Sequence, residues 1–424
     1  MQADINELQE KARQAKTASK KLAFTPAGVK NEAMLAIAQA LLDREDIILR
    51  NNEKDYKEAE ASGMSAAMLD RLMLDSRRLK GISDDVKTVA ALPDPVGEII
   101  EERTLPNGLL LTKKRVPLGV IGAIYESRPN VAVDISVLCL KAGNAVILRG
   151  GKESARSNLA LTSTVQEAAY RAGIPAGAVQ VIESPDRSLV DHMLKMKDYI
   201  DLIIPRGGAP LIKFVRDNAA MAVVAGGIGV CHMYVDKSAK MDNAVAIAYN
   251  ARVQRPTVCN ALDCVLAHKD IAAKFLPAMA KELAKAAVEM HCDHRSLGIL
   301  QSTGGLNIKP AVEEDWGKEY LALVMAVKVV DSLDEALEHI DRYGSGHSEA
   351  IASEDKDSIQ RFLNEVDAAC VYANASTRFT DGAQFGMGAE IGISTQKFHA
   401  RGPMALKEIT SYKWCITGSG QVRP

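Results

Sequence analysis

Cys259, in the stretch Gln254-Arg255-Pro256-Thr257-Val258-Cys259-Asn260-Ala261, is the most informative residue of this chain. It follows the glycine cluster Ala225-Gly226-Gly227-Ile228-Gly229 by about one supersecondary unit, and upstream of that runs a strand–helix alternation of the kind that holds nucleotides. Thiolate is the best side-chain nucleophile for making a thioester, so a cysteine here suggests covalent acyl chemistry coupled to hydride transfer. The competing reading of a lone cysteine is a small buried hydrophobe.

Other residue groups bear on the same chemistry. Leu148-Arg149-Gly150-Gly151-Lys152-Glu153-Ser154 sits where a strand ends and a helix begins. Glycines let a ligand approach the backbone, a helix N-terminus favours anions, and Lys152 adds a point charge. A plain tight turn with a solvated lysine would use the same residues. Pro205-Arg206-Gly207-Gly208-Ala209 repeats the arrangement one unit later. Two such loops at one sheet edge suit a pyrophosphate or a phosphorylated substrate better than either alone; simple helix-start glycines are the alternative. Gly226-Gly227-Ile228-Gly229 leads into a strand, so no helix dipole acts there and an interdomain crossover is the reading. Asn130, in Arg128-Pro129-Asn130, either caps a helix beginning at 131 or offers its amide to a developing oxyanion. His291-Cys292-Asp293-His294 has metal-ligand residue types without a partner pair and reads as a solvated turn at a helix end.

The elements that must position these residues follow from periodicity. Residues 3–90 are helical, with Ile5, Leu8, Ala12 and Ala15 at helical spacing, and Pro93 and Pro95 end the block. Residues 97–115 form a β-hairpin around Asn107-Gly108. Val116–Tyr125 is a buried strand. Helices over 131–141, 154–172, 186–196 and 209–218 then alternate with strands over 144–148, 179–182, 200–204 and 222–224. Such units imply a mainly parallel sheet covered on both faces, with ligands at the carboxyl ends of its strands. A second α/β segment spans 233–400, with strands near 233–235, 262–266, 324–330 and 369–373 and helices near 270–288, 333–341 and 355–366. The tail, Ile409–Ile416, alternates as a last strand that pairs outside its own domain.

Composition narrows the function classes. A chain of 424 residues with 47% apolar and 25% charged residues is an ordinary globular composition, long enough for two or three domains. A net charge of -2 offers no basic field for nucleic acid or an anionic membrane. The seven cysteines are odd in number and scattered, which points to a reducing cytoplasmic setting and not to a disulfide framework. The acidic N-terminus is no signal peptide, and no apolar stretch is long enough to span a bilayer.

Taken in order, these pieces resemble the aldehyde dehydrogenase superfamily, and within it the branch that reduces L-glutamyl 5-phosphate. The resemblance covers nearly the whole chain. It is carried by Arg115–Gly122, Tyr125–Val131, Val146–Glu153, Gln254–Asn260, Asn374–Gly382, Phe385–Glu390 and His399–Met404. It implies an α/β fold of aldehyde dehydrogenase type: a Rossmann-type cofactor domain over 1–100 and 116–225, an α/β catalytic domain over 226–405, and a small β oligomerisation element from 101–115 and 406–424. Cys259 takes the place of the catalytic thiol and Asn130 that of the oxyanion asparagine. Lys152 matches the lysine on the adenosine ribose, with Arg149, Gly150, Gly151, Pro205, Arg206, Gly207, Gly208, Gly226 and Gly227 in the cofactor loops. Glu319 falls where the family holds the nicotinamide ribose. Arg128, Arg206, Arg378 and Arg401 are candidates for the phosphate and α-carboxylate, and Glu390 for the α-ammonium.

Two departures from the family are informative. Hydrolytic members carry a water-activating glutamate just before the Gly-Gly pair, where this chain has Val224 and Ala225. Many NAD-preferring members carry a carboxylate three residues after the lysine, where this chain has Ala155, followed by Arg156. The expectation is therefore NADPH as cofactor and phosphate as acyl partner. The substrate would be handed over by glutamate 5-kinase, the assembly a homodimer or homotetramer, and no metal is expected.

Overall fold

The computed structural model describes residues 2–423. The chain divides into two compact units, Met1–Gly226 with Gly386–Gly392 and Pro403–Pro424, and Gly227–Phe385 with Ile393–Gly402.

The first unit opens with five helices: α1 (Gln2–Leu22), α2 (Ala27–Asp43), α3 (Glu45–Ala61), α4 (Ala66–Leu72) and α5 (Ser76–Ala91). The apolar residues at helical spacing, Leu8, Ala12 and Ala15 of α1 among them, are buried. A hairpin follows, β1 (Ile99–Thr104) and β2 (Leu110–Pro117), closed at Asn107-Gly108 with Gly108 at φ +83°. Then come β3 (Val120–Tyr125), α6 (Asn130–Lys141), β4 (Ala145–Gly150), α7 (Ala155–Arg171), β5 (Val179–Val181), α8 (Ser188–Met193), β6 (Leu202–Arg206), α9 (Ala209–Asn218) and β7 (Ala222–Val223). The five strands form one parallel sheet in the order β5-β4-β3-β6-β7. Sequence order therefore reverses between β3 and β6, the switch point at which α/β sheets of this kind open a ligand crevice. β3 reads Val-Ile-Gly-Ala-Ile-Tyr and is buried throughout, as a central parallel strand must be.

In the second unit β8 (Cys231–Val235), α10 (Met241–Val253), β9 (Leu262–His268), α11 (Lys269–Ala284), β10 (Glu289–Cys292), α12 (His294–Leu300), β11 (Asn307–Pro310), β12 (Val324–Val330), α13 (Leu333–Tyr343), β13 (Ser348–Ala352), α14 (Lys356–Glu365) and β14 (Cys370–Ala373) build a seven-stranded sheet. Its order is β11-β10-β12-β9-β8-β13-β14, with every pairing parallel. Two short strands, β15 (Gly392–Ser394) and β16 (Gly402–Met404), lie where the chain passes between units. The tail strand β17 (Thr410–Thr417) runs antiparallel to β2 over its full length, giving a three-stranded sheet β1-β2-β17 inside the first unit. No helix among the described residues is long and apolar enough to cross a membrane.

Three expectations change. Val116–Tyr125 is not one strand but two, β2 and β3, because Gly119 turns the chain at φ +130°. A Cβ there would overlap the Asp201 carboxylate, which accepts from Val120 N at 2.8 Å and from Lys16 Nζ at 2.9 Å. Residues 289–292 are a strand of the second sheet and not a helix end. Helix α10 and strand β13 were not anticipated, since the alanine-rich 241–253 and the mixed Ser348-Glu349-Ala350-Ile351-Ala352 carry little periodicity.

Gly119→Ala should therefore lower the unfolding free energy by about 2–3 kcal/mol, since it forces a Cβ into a left-handed, crowded position. Urea titration of the variant checks this; an unchanged midpoint would contradict the role given to the turn.

Candidate active site

The loop between α10 and β9 carries Cys259. Arg252, fully buried at the end of α10, donates to the carbonyl oxygen of Pro256 (2.7 Å), to that of Leu262 (2.8 Å) and to Asp263 Oδ1 (2.7 Å). One guanidinium fork thus ties both ends of the loop to the start of the strand. Desolvation pushes Asp263 up to about 6 even with Arg252 beside it, and Tyr320 N also donates to its carboxylate. Asn260, next to the thiol, accepts at Oδ1 from Arg378, donates Nδ2 to the Thr380 carbonyl at 2.8 Å, and accepts at its own carbonyl from Thr377 Oγ1 at 2.7 Å. Arg378 Nε donates to Gln254 Oε1 at 2.8 Å, so its guanidinium brackets the loop. Burial, then the neighbouring charge of Arg255, lowers the Arg378 pKa.

The other wall of the loop is backbone. A Cβ at Gly229 would overlap the carbonyl of Cys259, so only glycine fits there. Gly229 N donates to Glu319 Oε1 at 3.1 Å, and the Cys231 thiol, held protonated by burial, donates to the Cys259 carbonyl at 3.3 Å. Cys259 is half-buried; of the other six cysteines, only Cys415 on the tail strand is not buried. The arrangement presents a thiol on a loop whose backbone is fixed on both sides.

In the first unit the candidate cofactor residues gather at the carboxyl ends of β3, β4 and β6. The β4 loop runs Gly150-Gly151 into a short turn with Lys152 exposed, and a narrow crevice is lined by Gly150, Gly151, Lys152, Ala155 and the segment 181–185. Glu153 accepts from Ser127 N at 2.7 Å and Ser127 Oγ at 2.8 Å, holding Ser127 at φ 44°. Glu126 accepts from Gly208 N at 3.1 Å, and a Cβ at Gly207 would collide with its carboxylate. The loops after β3, β4 and β6 are thus cross-tied around the switch point. Exposed glycine backbone, a lysine and a helix start at this edge fit a dinucleotide. Arg149 is largely buried and donates to the carbonyls of Pro185 and Asp186, so it shapes the crevice wall. Arg156 forks onto Glu58 and also meets Asp55 at 3.2 Å, so its charge is already matched by carboxylates.

Asn130 is the first residue of α6, and its amide donates to Asp134 Oδ2 at 2.8 Å. It does not cap the helix, which corrects the plainer of its two readings. Asp134 is pushed up to about 7, chiefly by desolvation, with Asn130 opposing the shift. Val224 and Ala225, just before the Gly226-Gly227 pair, are 3% and 5% exposed. Arg128, Gly226 and Glu390 lie in the first unit with Asn130; Gly227, Glu319, Arg378 and Arg401 lie in the second with Cys259. Arg401 is held by Asp367 at 2.8 Å, and Gly227 packs tightly on Thr395. The 291–294 segment is no solvated turn: His291 bridges Glu289 and Asp315 at 2.7 Å each, Cys292 is buried, and Asp293 caps α12.

Sequence reasoning passed over Arg252 and Asp263, which look like ordinary helix-end and strand-start charges. It also passed over a fully buried His232–Glu349 pair at 3.1 Å on β8 and β13.

The raised Asp134 has a pH consequence. Its folded pKa of about 7 lies above the ordinary carboxylate value of 3.8, so between these values the folded chain holds a proton that the unfolded chain has lost. Stability from this group is present at low pH and is lost as pH rises towards 7. Asp134→Asn should remove that slope and gain progressively on the parent as pH rises from about 4 to about 7 in thermal unfolding. Parallel curves for the two proteins would contradict it.

The fold agrees with what comparison with known proteins finds. The aldehyde dehydrogenase family profile matches residues 1–302 and 311–415. A gamma-glutamyl phosphate reductase of Dehalococcoides mccartyi is 62% identical over 423 residues, covering all of both chains. One from Escherichia coli is 51% identical over 409 residues, covering 96% of this chain and 98% of that one. The crystal structure of gamma-glutamyl phosphate reductase from Thermotoga maritima superposes with a TM-score of 0.95 at 46% identity, over 99% of this chain and all of that one. The chain belongs to the aldehyde dehydrogenase family of oxidoreductases, in the group formed by the gamma-glutamyl phosphate reductases.

Proposed function

We propose that this enzyme reduces L-glutamyl 5-phosphate to L-glutamate 5-semialdehyde and phosphate with NADPH, through a thioester on Cys259, as the second step of proline synthesis from glutamate. Support comes from the names of its full-length relatives and from the half-exposed thiol on a clamped loop. The observation that carries the acyl-phosphate reading is the pair Val224 and Ala225: apolar and buried where a hydrolytic relative keeps its water-activating base.

Cys259 thiolate attacks the γ-carbonyl carbon, a C–S bond forms, and the carbonyl electrons move onto oxygen. The Asn130 amide and the Cys259 backbone N–H are the donors proposed for that oxyanion, a stabilisation typically about 3–4 kcal/mol per donor. Collapse breaks the carbon–oxygen bond to phosphate, which leaves as a stable anion. Gly150, Gly151, Lys152 and the loops at Gly207-Gly208 and Gly226-Gly227 would hold NADPH, with Glu319 on the nicotinamide ribose, and the bound cofactor would supply the hydride that reduces the thioester. The resulting thiohemiacetal on Cys259 expels the thiolate and frees the semialdehyde.

Among the substrate arginines, Arg378 has the best claim, since it lies beside the nucleophile's loop with Arg255 next to it. Arg401, already matched by Asp367, has a weaker one; Arg128 and Glu390 remain assigned by resemblance. Ala155 lines the same crevice as Lys152 and brings no carboxylate to repel a 2′-phosphate, and this supports NADPH. Arg156 gives no added support, because Glu58 and Asp55 hold it. Transfer of substrate from glutamate 5-kinase, a dimeric or tetrameric assembly through the β1-β2-β17 sheet, and a cytoplasmic setting complete the reading. The exposed Ile99, Tyr412, Trp414 and Ile416 of that sheet favour a partner surface.

Without any nicotinamide cofactor, L-glutamyl 5-phosphate should give a single burst of phosphate matching the enzyme concentration. Mass spectrometry should then find the glutamyl group on the peptide bearing Cys259. Cys259→Ser should abolish both signals. Continued phosphate release after the burst would mean water resolves the thioester, and an acyl group on another residue would remove Cys259 from the role.

A further inference from the structure

The second unit holds a buried polar cluster that acyl chemistry at Cys259 does not use. His232 on β8, Cys264 on β9 and His339 on α13 are all buried, and one donor atom from each lies within 4.8 Å of the other two. His232 and Cys264 are register partners on adjacent strands, and Cys264 Sγ lies 3.9 Å from His339 Nε2. The His232 ring turns Nδ1 to the Glu349 carboxylate at 3.1 Å, which leaves Nε2 buried with no hydrogen-bond partner.

We propose that His232, Cys264 and His339 form a structural site for a thiophilic divalent transition metal, zinc(II) in the first instance. A buried carboxylate behind an imidazole is the usual outer support of a metal-bound histidine, because it fixes the tautomer and frees the other nitrogen. That freed nitrogen is the unpartnered one here. Mixed nitrogen and thiolate ligands suit zinc, with ligand atoms about 2.0–2.3 Å from the ion. The observed separations then call for a contraction of side chains only, on a scale that rotamer adjustment supplies.

Charge also fits. Binding releases the Cys264 thiol proton, and the thiolate together with the Glu349 carboxylate then balances a divalent ion. Lys328 is the cation facing the cluster, with Nζ 3.4 Å from His339 Nδ1 and equally 3.4 Å from Glu335. Moving it fully onto Glu335 leaves His339 Nδ1 to carry its own proton, and Nε2 turns its lone pair to the metal. The site would join β8, β9 and α13 behind Cys231, the residue whose thiol holds the Cys259 carbonyl. Its role is to stiffen that platform and not to touch substrate.

The test uses the full chain, produced in zinc-depleted medium supplemented with cobalt(II) so that the ion enters during folding. Expected are one cobalt per chain and a thiolate-to-cobalt charge-transfer band in the near ultraviolet. Cys264→Ser should lose the charge-transfer band and Cys259→Ser should keep it. Glu349→Gln should keep the spectrum and weaken retention against a competing chelator by about 10–100-fold. A protein without bound cobalt, or a charge-transfer band that survives Cys264→Ser and vanishes in Cys259→Ser, would overturn the assignment.

Discussion

The Cys259 carbonyl occupies the space where any side chain at position 229 would have to begin, and the loop that carries Cys259 depends on that close approach. Glycine at 229 lets β8 and the loop before β9 meet backbone to backbone, with the Cys231 thiol closing the contact. Arg252 then fixes the two ends of the loop from inside, at Pro256 and at Leu262-Asp263. A buried ion pair such as Arg252–Asp263 is a poor source of net stability, since desolvation consumes most of its attraction. Its value here is geometric: a planar fork with fixed donor directions leaves the loop one conformation. The thiol is then placed by its own side-chain rotation alone.

The nucleotide edge of the first unit works by the same economy. Glu153 and Glu126 are carboxylates whose partners are backbone N–H groups and a serine hydroxyl in neighbouring loops. These bonds satisfy acceptor oxygens of the two carboxylates and tie the loops after β3, β4 and β6 to one another. Lys152 and the helix starts are what favour an anion at such an edge. The same accounting applies to water. Buried Val224 and Ala225 cannot polarise a water molecule, so an acyl group on Cys259 would wait for phosphate in one direction or a hydride in the other.

Much of this was legible in the sequence. The β3–β7 alternation, the Asn107-Gly108 turn, the glycine loops and Cys259 announce themselves through period, composition and spacing, because each is local. The tail strand was legible as a strand, while only the family resemblance grouped it with 101–115, since pairing across some 300 residues leaves no local trace. Gly119 looked like one more residue in an apolar run; only the Asp201 carboxylate against it shows why the strand must break there. Arg252 and the His232–Glu349 pair were missed for the opposite reason. A charged residue in a helix or strand reads as solvated unless its buried partner is known, and those partners are distant in sequence or lie on other strands. Asn130 shows a third limit: its residue type allowed both a cap and a donor, and only the bond to Asp134 removes the cap.

The most direct test of the account is NADP⁺ reduction by glutamate 5-semialdehyde, run with and without inorganic phosphate. The account predicts strict phosphate dependence, with acyl phosphate as product, because Val224 and Ala225 give water no base with which to open the thioester. Undiminished turnover without phosphate, yielding free glutamate, would contradict it and make the enzyme a hydrolytic dehydrogenase.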